Sequence, residues 1–462
     1  MNTLPSQGRV RFPHPLTLLT ACVLLAAAAS WVVPAGAYDR REDAATGRTV
    51  VVAGTYHSVE PAPVGPLEAM LAIPRGLVDA AEVIFLVFLV GGAFLVVDRT
   101  GALRAAVDGL ARFLRGREVL VIPVVATFFA AGGALQNTQE EIIALIPVLL
   151  LLSRRVGFDA LTAVSMSLGA AIVGSAFSPV NPFQVVIAQQ LAELPALSGA
   201  IFRLVFLAIA LALWILGTMR YAMRVRRGAG TTALQDGTDT GELAGAHGGA
   251  DARDIIVLVV VLGAFATFTF GLMRLGWSFN EMSAVFLTMG VLAGLIGRLG
   301  VHGTAEAFVE GFREMALAAV LIGFARAIYV VLEEGRIVDT LVHGLFIPTA
   351  QLPLTLAAIA MMGVQTLIHV PVPSVSGQAV LTIPILTPLS DLIGLSRQVM
   401  VLAYQYGAGL CEMLTPTNGA LMAILAAAGV RYDRWLRFAV PLWGLLALLG
   451  ISAIVIGILT GL

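Results

Sequence analysis

The side chains best able to do chemistry in this chain interrupt long apolar runs. Residues 136–141 form one polar stretch, and a second break at 178–182 follows further along. Residues 374–378 and 415–419 repeat that arrangement in the second half. Polar groups and Pro/Gly breaks are costly in a bilayer unless they are buried against protein or line a cavity. Two such pairs in corresponding places predict one binding site between two related halves.

The predicted solute-binding residues combine carboxylates with amides, hydroxyls and a glycine. They are Gln136, Asn137, Thr138, Glu140, Glu141, Asn181, Ser374, Ser376, Gly377, Gln378 and Asn418. The predicted ion-coupling residues are Ser178, Asn181, Glu412, Thr415, Thr417 and Asn418. Oxygens of Ser178, Asn181, Thr415 and Asn418 would hold a sodium ion. A proton is the alternative coupling ion, and no other cofactor is expected.

Several of these residues have two interpretations. A bare carboxylate in hydrocarbon is expensive, so Glu140 or Glu141 is expected to meet solute, a proton or a partner, unless the pair caps the helix that follows. Glu412 is either a proton carrier or solute contact, or one half of an ion pair. His369 either titrates during transport or is a hydrogen-bonded core residue, which is favoured. Arg326, inside a span, would pair with a glutamate or meet an anionic solute.

The composition indicates a polytopic membrane protein. Hydrophobic residues make up 58% of the chain and charged residues 12%, while the mean hydropathy is +0.91, too apolar for a fully solvated surface. No basic patch points to nucleic acid. Two cysteines far apart indicate neither a disulfide framework nor a metal cluster. The sequence contains no phosphate-binding loop, metalloprotease or dinucleotide-binding motif, so we do not expect an enzyme.

Charge fixes the orientation of the first half. Residues 98–118 carry five arginines, and the apolar run 119–152 ends at Arg154 and Arg155. By the positive-inside rule both flanks are cytoplasmic. A re-entrant hairpin satisfies both, because each arm is too short to cross a hydrocarbon core of about 30 Å. Residues 136–141 form its tip.

The second half has the opposite charge at the matching place. Glu333 and Glu334 replace the arginine cluster, so a hairpin over residues 352–391 is expected to enter from the outer face. Its tip is the stretch 374–378. A small strand hairpin around residues 49–56 is also expected outside the bilayer.

The predicted fold class is therefore an all-α polytopic membrane protein with two inverted repeats, each containing a re-entrant hairpin and a broken transmembrane helix. Residues 1–227, opening with a basic leader, form the first repeat. Residues 253–462 form the second, and residues 228–252 are a flexible cytoplasmic linker. The pattern at 89–110 recurs at 321–345. The N-terminus is expected in the cytoplasm and the C-terminus outside.

Two hairpins that enter from opposite faces would enclose a site near the midplane, open to one side at a time. Helices that begin at the breaks would direct their positive dipole ends towards the site and favour a carboxylate. Without a nucleotide-binding motif, energy would come from an ion gradient or from exchange.

Short motifs spread along nearly the whole chain resemble the four-carbon dicarboxylate anaerobic carrier family, in its YfcC-like branch, within the ion transporter superfamily. They are Phe12-Pro13-His14-Pro15, Trp31 to Asp39, Asn181-Pro182-Phe183, Ser376-Gly377-Gln378-Ala379, Pro384 to Asp391, Arg397-Gln398 and Thr415-Pro416-Thr417. The resemblance implies a bacterial inner-membrane secondary transporter that is a homodimer with an elevator motion. Gly407-Ala408-Gly409 and Glu412 depart from the family pattern, where an Asp and an Asn are expected.

The sequence thus predicts a secondary active transporter, embedded in the lipid bilayer, for a small carboxylate-bearing solute. Amino acids, including basic amino acids moved by exchange, rank slightly ahead of C4-dicarboxylates because glutamates suit an amine. A dicarboxylate would need a cationic partner, and Arg326 is the evident one. The alternative from another class is a gated channel, which closed hairpins at both faces disfavour.

Overall fold

The computed structural model describes residues 14–43, 48–103, 105, 109, 117–136, 139–195, 197–228, 251–271, 275, 277 and 279–462. Four parts of the sequence predictions lie outside the described residues. They are the leader 1–13, three arginines of the loop 98–118 (Arg104, Arg112 and Arg115), the linker from residue 229 to 250, and Asn137 with Thr138 at the predicted hairpin tip.

The described chain is almost wholly helical. Its helices are α1 (Pro15–Ala29), α2 (Pro66–Asp79), α3 (Ala81–Thr100), α4 (Val121–Gln136), α5 (Glu140–Arg155), α6 (Ala160–Ala176), α7 (Ile187–Leu191), α8 (Ala200–Gly228), α9 (Ala252–Phe270), α10 (Phe279–Ile296), α11 (Gly300–Glu334), α12 (Val338–Phe346), α13 (Leu354–His369), α14 (Val375–Ile393), α15 (Arg397–Cys411), α16 (Gly419–Ala427) and α17 (Tyr432–Thr460). Single-turn 3-10 or π segments at Glu118–Leu120, Ser165–Gly169, Pro182–Val186 and Ile347–Gln351 adjoin or interrupt them.

Six helical segments within the described residues are long and apolar enough to cross a membrane, judged by length and composition. They are Ala81–Thr100, Glu118–Leu135, Ala200–Arg227, Phe279–Ile296, Gly300–Glu334 and Tyr432–Thr460. This is the construction of a multi-pass membrane protein. The second of these segments includes the arm that was expected to be too short to cross. The re-entrant course of α4–α5 and α13–α14, like the inverted repeat, stays a prediction.

Helix α11 packs at very short range against α2 and α3. A Cβ atom on Gly76 would lie 2.5 Å from the carbonyl oxygen of Gly323, and one on Gly311 would lie 2.6 Å from Cα of Gly92. Lipid chains are as apolar as leucine, so helices in a bilayer gain stability from such close backbone contact rather than from hydrophobic burial. These glycines therefore hold three helices together.

Close backbone contact at glycines also joins α4 to α6. A Cβ atom on Gly133 would lie 2.0 Å from the carbonyl oxygen of Ala171, and one on Gly174 would lie 2.0 Å from that of Ala130. Any other residue at either glycine would push the two helices apart. The end of α4 is thus held against the helix that carries the first break.

Both predicted helix interruptions are present. Helix α6 ends at Ala176 and helical structure resumes at Pro182, while α15 ends at Cys411 and α16 begins at Gly419. Proline lacks the N–H that a helix interior requires, and each break contains at least one proline between its two helical parts. We call residues 177–181 the first break and residues 412–418 the second break.

The region between α1 and α3 differs in part from the expectation. Strand β1 (Gly36–Ala37) pairs with β4 (His57–Ser58), and β2 (Arg40–Asp43) pairs with β3 (Arg48–Val51), all antiparallel. The expected hairpin is therefore two short ladders, which we call the outer cap. Helix α2 follows these strands. Helix α1 ends at Ala29, five residues before Pro34.

Candidate functional site

The first break is bound to the end of α4. Ser178 Oγ donates to the Ala134 carbonyl (2.6 Å), and Asn181 Nδ2 donates to the Gly133 carbonyl (2.8 Å). Both side chains are fully buried. The last carbonyls of a helix have no partner within it, so these two side chains satisfy groups that would otherwise be unpaired.

Asn181 also starts the helical segment after the break. Its Oδ1 accepts from the backbone N–H groups of Phe183 (2.9 Å) and Gln184 (3.0 Å), the N-cap arrangement expected of asparagine. Ser178 Oγ accepts from the N–H groups of Val180 (3.0 Å) and Asn181 (2.8 Å). The lone pairs of both oxygens are therefore used within the break.

The second break is built in the same way. Asn418 Oδ1 caps α16 by accepting from the Leu421 N–H (3.1 Å), and its Nδ2 donates to the Glu412 carbonyl (3.2 Å). The hydroxyls of Thr415 and Thr417 lie 2.7 Å apart, and Thr417 Oγ1 donates to the Val370 carbonyl (2.7 Å) just beyond α13. The break is thus joined to the turn between α13 and α14.

The turn between α4 and α5 reaches the second break. Gln139 Nε2 donates to Glu412 Oε2 (2.5 Å), and Gln139 Oε1 accepts from Asn418 Nδ2 (3.3 Å). Gln139 and Glu412 are both nearly fully buried. The structure therefore brings together the polar stretch 136–141 of the first half and the break of the second half. Gln139 was missed as a site residue, although it lies inside that stretch.

Two more carboxylates adjoin this contact. Glu140 and Glu141 occupy the first turn of α5, and Glu140 lies within electrostatic range of both Glu141 and Glu412. Glu141 Oε2 is buried and receives no hydrogen bond from the described part of the chain. Within those residues none of the three carboxylates forms an ion pair. We call Gln139, Glu140, Glu141, Glu412 and Asn418 the acidic cluster.

The predicted residues of the second polar stretch have their bonds inside their own helix pair. Ser374 Oγ caps α14 by accepting from the Gly377 N–H (3.2 Å), and Ser376 lies half-buried in the same turn. Gln378 Nε2 donates to the Gln365 carbonyl (2.8 Å), which ties α14 to α13. Gln136 is the last residue of α4.

The cation expected at the site lies elsewhere. Arg326 is half-exposed, pairs with Asp79 and stacks its guanidinium over the Tyr329 ring at 5.0 Å. It contacts none of the acidic cluster in the described residues, so the first of its two interpretations, pairing with a glutamate of the site, is not observed. Contact with an anionic solute stays a prediction. The stretch of α11 around Arg326, residues 315–332, is apolar on all sides, so the sequence gave no signal for the direction in which Arg326 projects.

A different arginine is buried. Arg203, near the start of α8, is fully buried and donates to Gln405 Oε1 (2.9 Å), Gln398 Oε1 (2.8 Å) and the Ser198 carbonyl (2.8 Å). Gln405 Nε2 in turn donates to the Ser178 carbonyl (2.8 Å). The Arg203 guanidinium therefore has only neutral partners among the described residues, and one of them, Gln405, connects it to the first break. Sequence reasoning missed it, because an arginine close to a helix end normally reaches the interface.

The four residues predicted to hold sodium form two separate groups. Ser178 and Asn181 surround the end of α4, whereas Thr415 and Asn418 belong to the second break. The oxygens of Ser178 and Asn181 already accept two N–H groups each. As placed, these two residues do not fit a sodium ion, which needs free oxygen lone pairs.

Comparison with known proteins identifies the family. A family profile described as "C4-dicarboxylate anaerobic carrier" matches residues 12–459. This chain belongs to the C4-dicarboxylate anaerobic carrier family. The match covers nearly the whole sequence, as the motifs predicted, and membership places the chain among membrane transport proteins.

Two relatives align with this carrier over almost their full length. An Escherichia coli (strain K12) protein, YfcC, provisionally named as a basic amino acid antiporter, is 32% identical, covering 97% of this chain and 96% of the relative. A Haemophilus influenzae (strain ATCC 51907 / DSM 11121 / KW20 / Rd) protein without a functional name is 28% identical, with 99% of each chain covered.

Two solved transporter structures resemble the carrier more distantly. The Alcanivorax borkumensis YdaH transporter has a TM-score of 0.46 and 15% identity, covering 97% of this chain and 99% of its own. Neisseria gonorrhoeae MtrF, from a class of antimetabolite efflux pumps, has a TM-score of 0.39 and 16% identity, with 96% and 95% covered. At TM-scores below 0.5, neither supports a conclusion about this chain.

Proposed function

We propose that this carrier is a secondary active transporter of the bacterial inner membrane for an amino acid, with basic amino acids first, moved by exchange or with protons. The observation that carries the proposal is the acidic cluster. Glu140 and Glu141 adjoin the contact between Gln139 and Glu412, and no basic side chain of the described residues pairs with any of these three carboxylates. Buried carboxylates without a cation are costly, so a cationic solute is the natural counter-charge.

The carboxylate of an amino acid needs a positive partner as well. Helices α5 and α16 begin at the acidic cluster, and α14 begins beside the second break. Unpaired N–H groups at a helix start favour a negative group. An amino acid would therefore place its cationic end on glutamate and its carboxylate at a helix start.

A C4-dicarboxylate carrier is the second candidate, because a specific observation favours it. Arg203 is a fully buried cation next to the first break, and no acidic side chain in the described range pairs with it. A dianion would be stabilised by such a charge but repelled by Glu412, Glu140 and Glu141. The three carboxylates outnumber the single guanidinium, which ranks this candidate second.

The test is uptake by purified protein in liposomes. Labelled arginine, ornithine, aspartate, succinate and fumarate are offered under imposed proton, sodium or counter-solute gradients. We expect a cationic amino acid to accumulate, most strongly against internal amino acid or an inward proton gradient. Accumulation of dicarboxylates alone would overturn the proposal, and gradient-independent flux of many solutes would indicate a gated channel.

The homodimer, the elevator motion and the orientation of the termini remain part of the proposal. They rest on the family resemblance and on the placement of arginines in the loops. Native mass spectrometry of the protein in lipid would test for a dimer. Reporter fusions at each end would test for an N-terminus in the cytoplasm and a C-terminus outside.

A further inference from the structure

A fully buried histidine lies at the last position of α13, beside the second break. His369 has no exposed surface, and its Nδ1 lies 2.8 Å from Gln378 Oε1 on α14. The next residue, Val370, accepts the hydrogen bond from Thr417. His369 is therefore adjacent in the chain to Val370, the residue through which the turn between α13 and α14 contacts the second break.

A chain of side chains fixes which nitrogen of His369 carries its hydrogen. Thr382 Oγ1 donates to the Gln378 carbonyl (2.8 Å), so it accepts from Gln365 Nε2 (2.9 Å). Gln365 Oε1 then accepts from Gln378 Nε2 (2.5 Å), which leaves Gln378 Oε1 facing the imidazole. An amide oxygen only accepts, so Nδ1 of His369 must donate and the neutral ring keeps a bare lone pair on Nε2.

That lone pair is unused. Nε2 of His369 is buried, and no donor in the described part of the chain bonds to it. Buried polar atoms in native proteins almost always have a partner, so an unpaired nitrogen next to the residue that contacts the second break calls for a ligand. A proton held there would lack a counter-charge, since no carboxylate of the described residues contacts the ring. The partner that fits is a hydrogen-bond donor.

We propose that Nε2 of His369 accepts a hydrogen bond from an N–H of the cationic group of the transported solute. The inference rests on the proposed function and adds a residue that selects its substrate class. Ionised succinate or fumarate has no N–H or O–H to donate and would leave Nε2 unpaired. An ammonium or guanidinium group supplies the donor, and the acidic cluster supplies the charge. His369 would therefore favour amino acids through the cost of leaving its lone pair unpaired.

Two substitutions distinguish the proposed acceptor role of Nε2 from the structural role of the hydrogen bond between Nδ1 and Gln378. In His369→Asn, the amide nitrogen overlays Nδ1 and keeps the bond to Gln378, while the acceptor at the Nε2 position is lost. In His369→Gln, the longer amide overlays Nε2 and offers an acceptor there, while the bond to Gln378 is lost. Uptake of labelled arginine in liposomes gives KM and kcat, and thermal unfolding of the purified protein reports the fold.

We expect His369→Asn to keep the wild-type Tm and to raise KM for arginine by about tenfold or more, as befits a lost hydrogen bond to a charged group. We expect His369→Gln to lower Tm but to recover much of that affinity. An unchanged KM in His369→Asn, with arginine still transported, overturns the inference alone. A wild-type protein that accumulates dicarboxylates and no amino acid overturns the proposed function as well.

Discussion

At the scale of single residues, the contact between Glu412 and Gln139 decides how the site is understood. A buried carboxylate is normally paired with a basic side chain, but the partner here is a neutral amide from the other half of the sequence. A single hydrogen bond from an amide offsets only part of the cost of removing the Glu412 charge from water. The negative charge of Glu412 is thus not fully compensated, and a cationic solute or a proton can compensate it.

Replacing Glu412 by Gln tests whether transport requires this negative charge. The glutamine side chain can still accept from Gln139 through its oxygen, so the contact survives while the charge is removed. We expect arginine uptake to fall by about tenfold or more, because an opposite charge within a low-dielectric site contributes well over 1.4 kcal/mol. Initial uptake rates in liposomes measure the effect.

The matched control is Glu193→Gln. Glu193 is an exposed carboxylate that pairs with Arg397 at 2.8 Å, away from the acidic cluster. Exposed ion pairs contribute little, so this variant should transport at the wild-type rate. Equal losses in the two variants, or none in either, would show that the charge of Glu412 has no role in transport.

The sequence revealed the elements of this site better than the contacts between them. Proline and polar residues inside apolar runs identify both breaks, because few other arrangements tolerate them in a bilayer. The pairing of Gln139 with Glu412 could not be predicted, since it depends on how two distant elements pack. Arg203 and Arg326 show the same limit, because an apolar helix gives no signal for the direction in which one charged side chain projects.

At the scale of elements, an asparagine holds each break in place. Asn181 and Asn418 each cap the helix that follows, and each donates to a backbone carbonyl of the break or of a neighbouring helix. Loss of an N-cap costs about 1 kcal/mol, and the carbonyl left behind adds to that. The breaks therefore keep their shape through these side chains.

Asn181→Ala and Asn418→Ala should each abolish arginine uptake while the protein still inserts in the membrane. Asn418→Asp refines the test, because its oxygen keeps the cap on Leu421 while the donor to Gln139 and Glu412 is lost. We expect Asn418→Asp to retain more thermal stability than Asn418→Ala but no more uptake. Exposed Asn280 provides the control, as Asn280→Ala should change neither quantity. Wild-type uptake in both alanine variants would remove the breaks from the site.

Arg203 joins three elements at one point. Its guanidinium bonds to two glutamines of α15 and to the turn before α8, and Gln405 passes the contact on to the first break. Arg203→Met removes the donors and leaves Gln405 Oε1 unpaired and Gln398 Oε1 with only the 3.4 Å bond from Gln189 Nε2. An unpaired buried acceptor costs about 1–3 kcal/mol. Lysine would not restore the three hydrogen bonds of Arg203, because a single ammonium cannot reproduce the planar fork of arginine.

We therefore expect Arg203→Met and Arg203→Lys both to lower Tm and arginine uptake. Leu204→Met, one residue along on the exposed side of α8, is the control and should leave both unchanged. Thermal unfolding in detergent and liposome uptake are the measurements. If Arg203→Met kept its Tm and lost only dicarboxylate uptake, the guanidinium would be a solute contact and the second candidate function would gain support.

At the scale of the whole molecule, the outer cap is fastened to the helix that precedes α13. Asp339 on α12 is 4% exposed, accepts from the Tyr38 N–H at 2.9 Å and pairs with Arg40 at 3.0 Å. The Tyr38 hydroxyl lies 2.8 Å from Nδ1 of His343, and the Tyr56 ring stacks on that imidazole at 3.9 Å. Burial, together with Asp339, raises the pKa of Tyr38 to about 12, so the hydroxyl keeps its hydrogen at neutral pH.

Asp339→Ala should loosen the cap without changing the site. The Tyr38 N–H and Arg40 would lose their common acceptor, which costs about 1–3 kcal/mol, so Tm should fall and amides in residues 36–58 should exchange faster with solvent. Asp39, an exposed carboxylate 3.9 Å from His57, is the matched control, and Asp39→Ala should shift stability by less than about 0.5 kcal/mol. The KM for arginine should stay at its wild-type value in both variants, because the cap contacts α12 and α14 and not the acidic cluster. A raised KM in Asp339→Ala alone would mean that the cap and the solute site are coupled through α12 and α13.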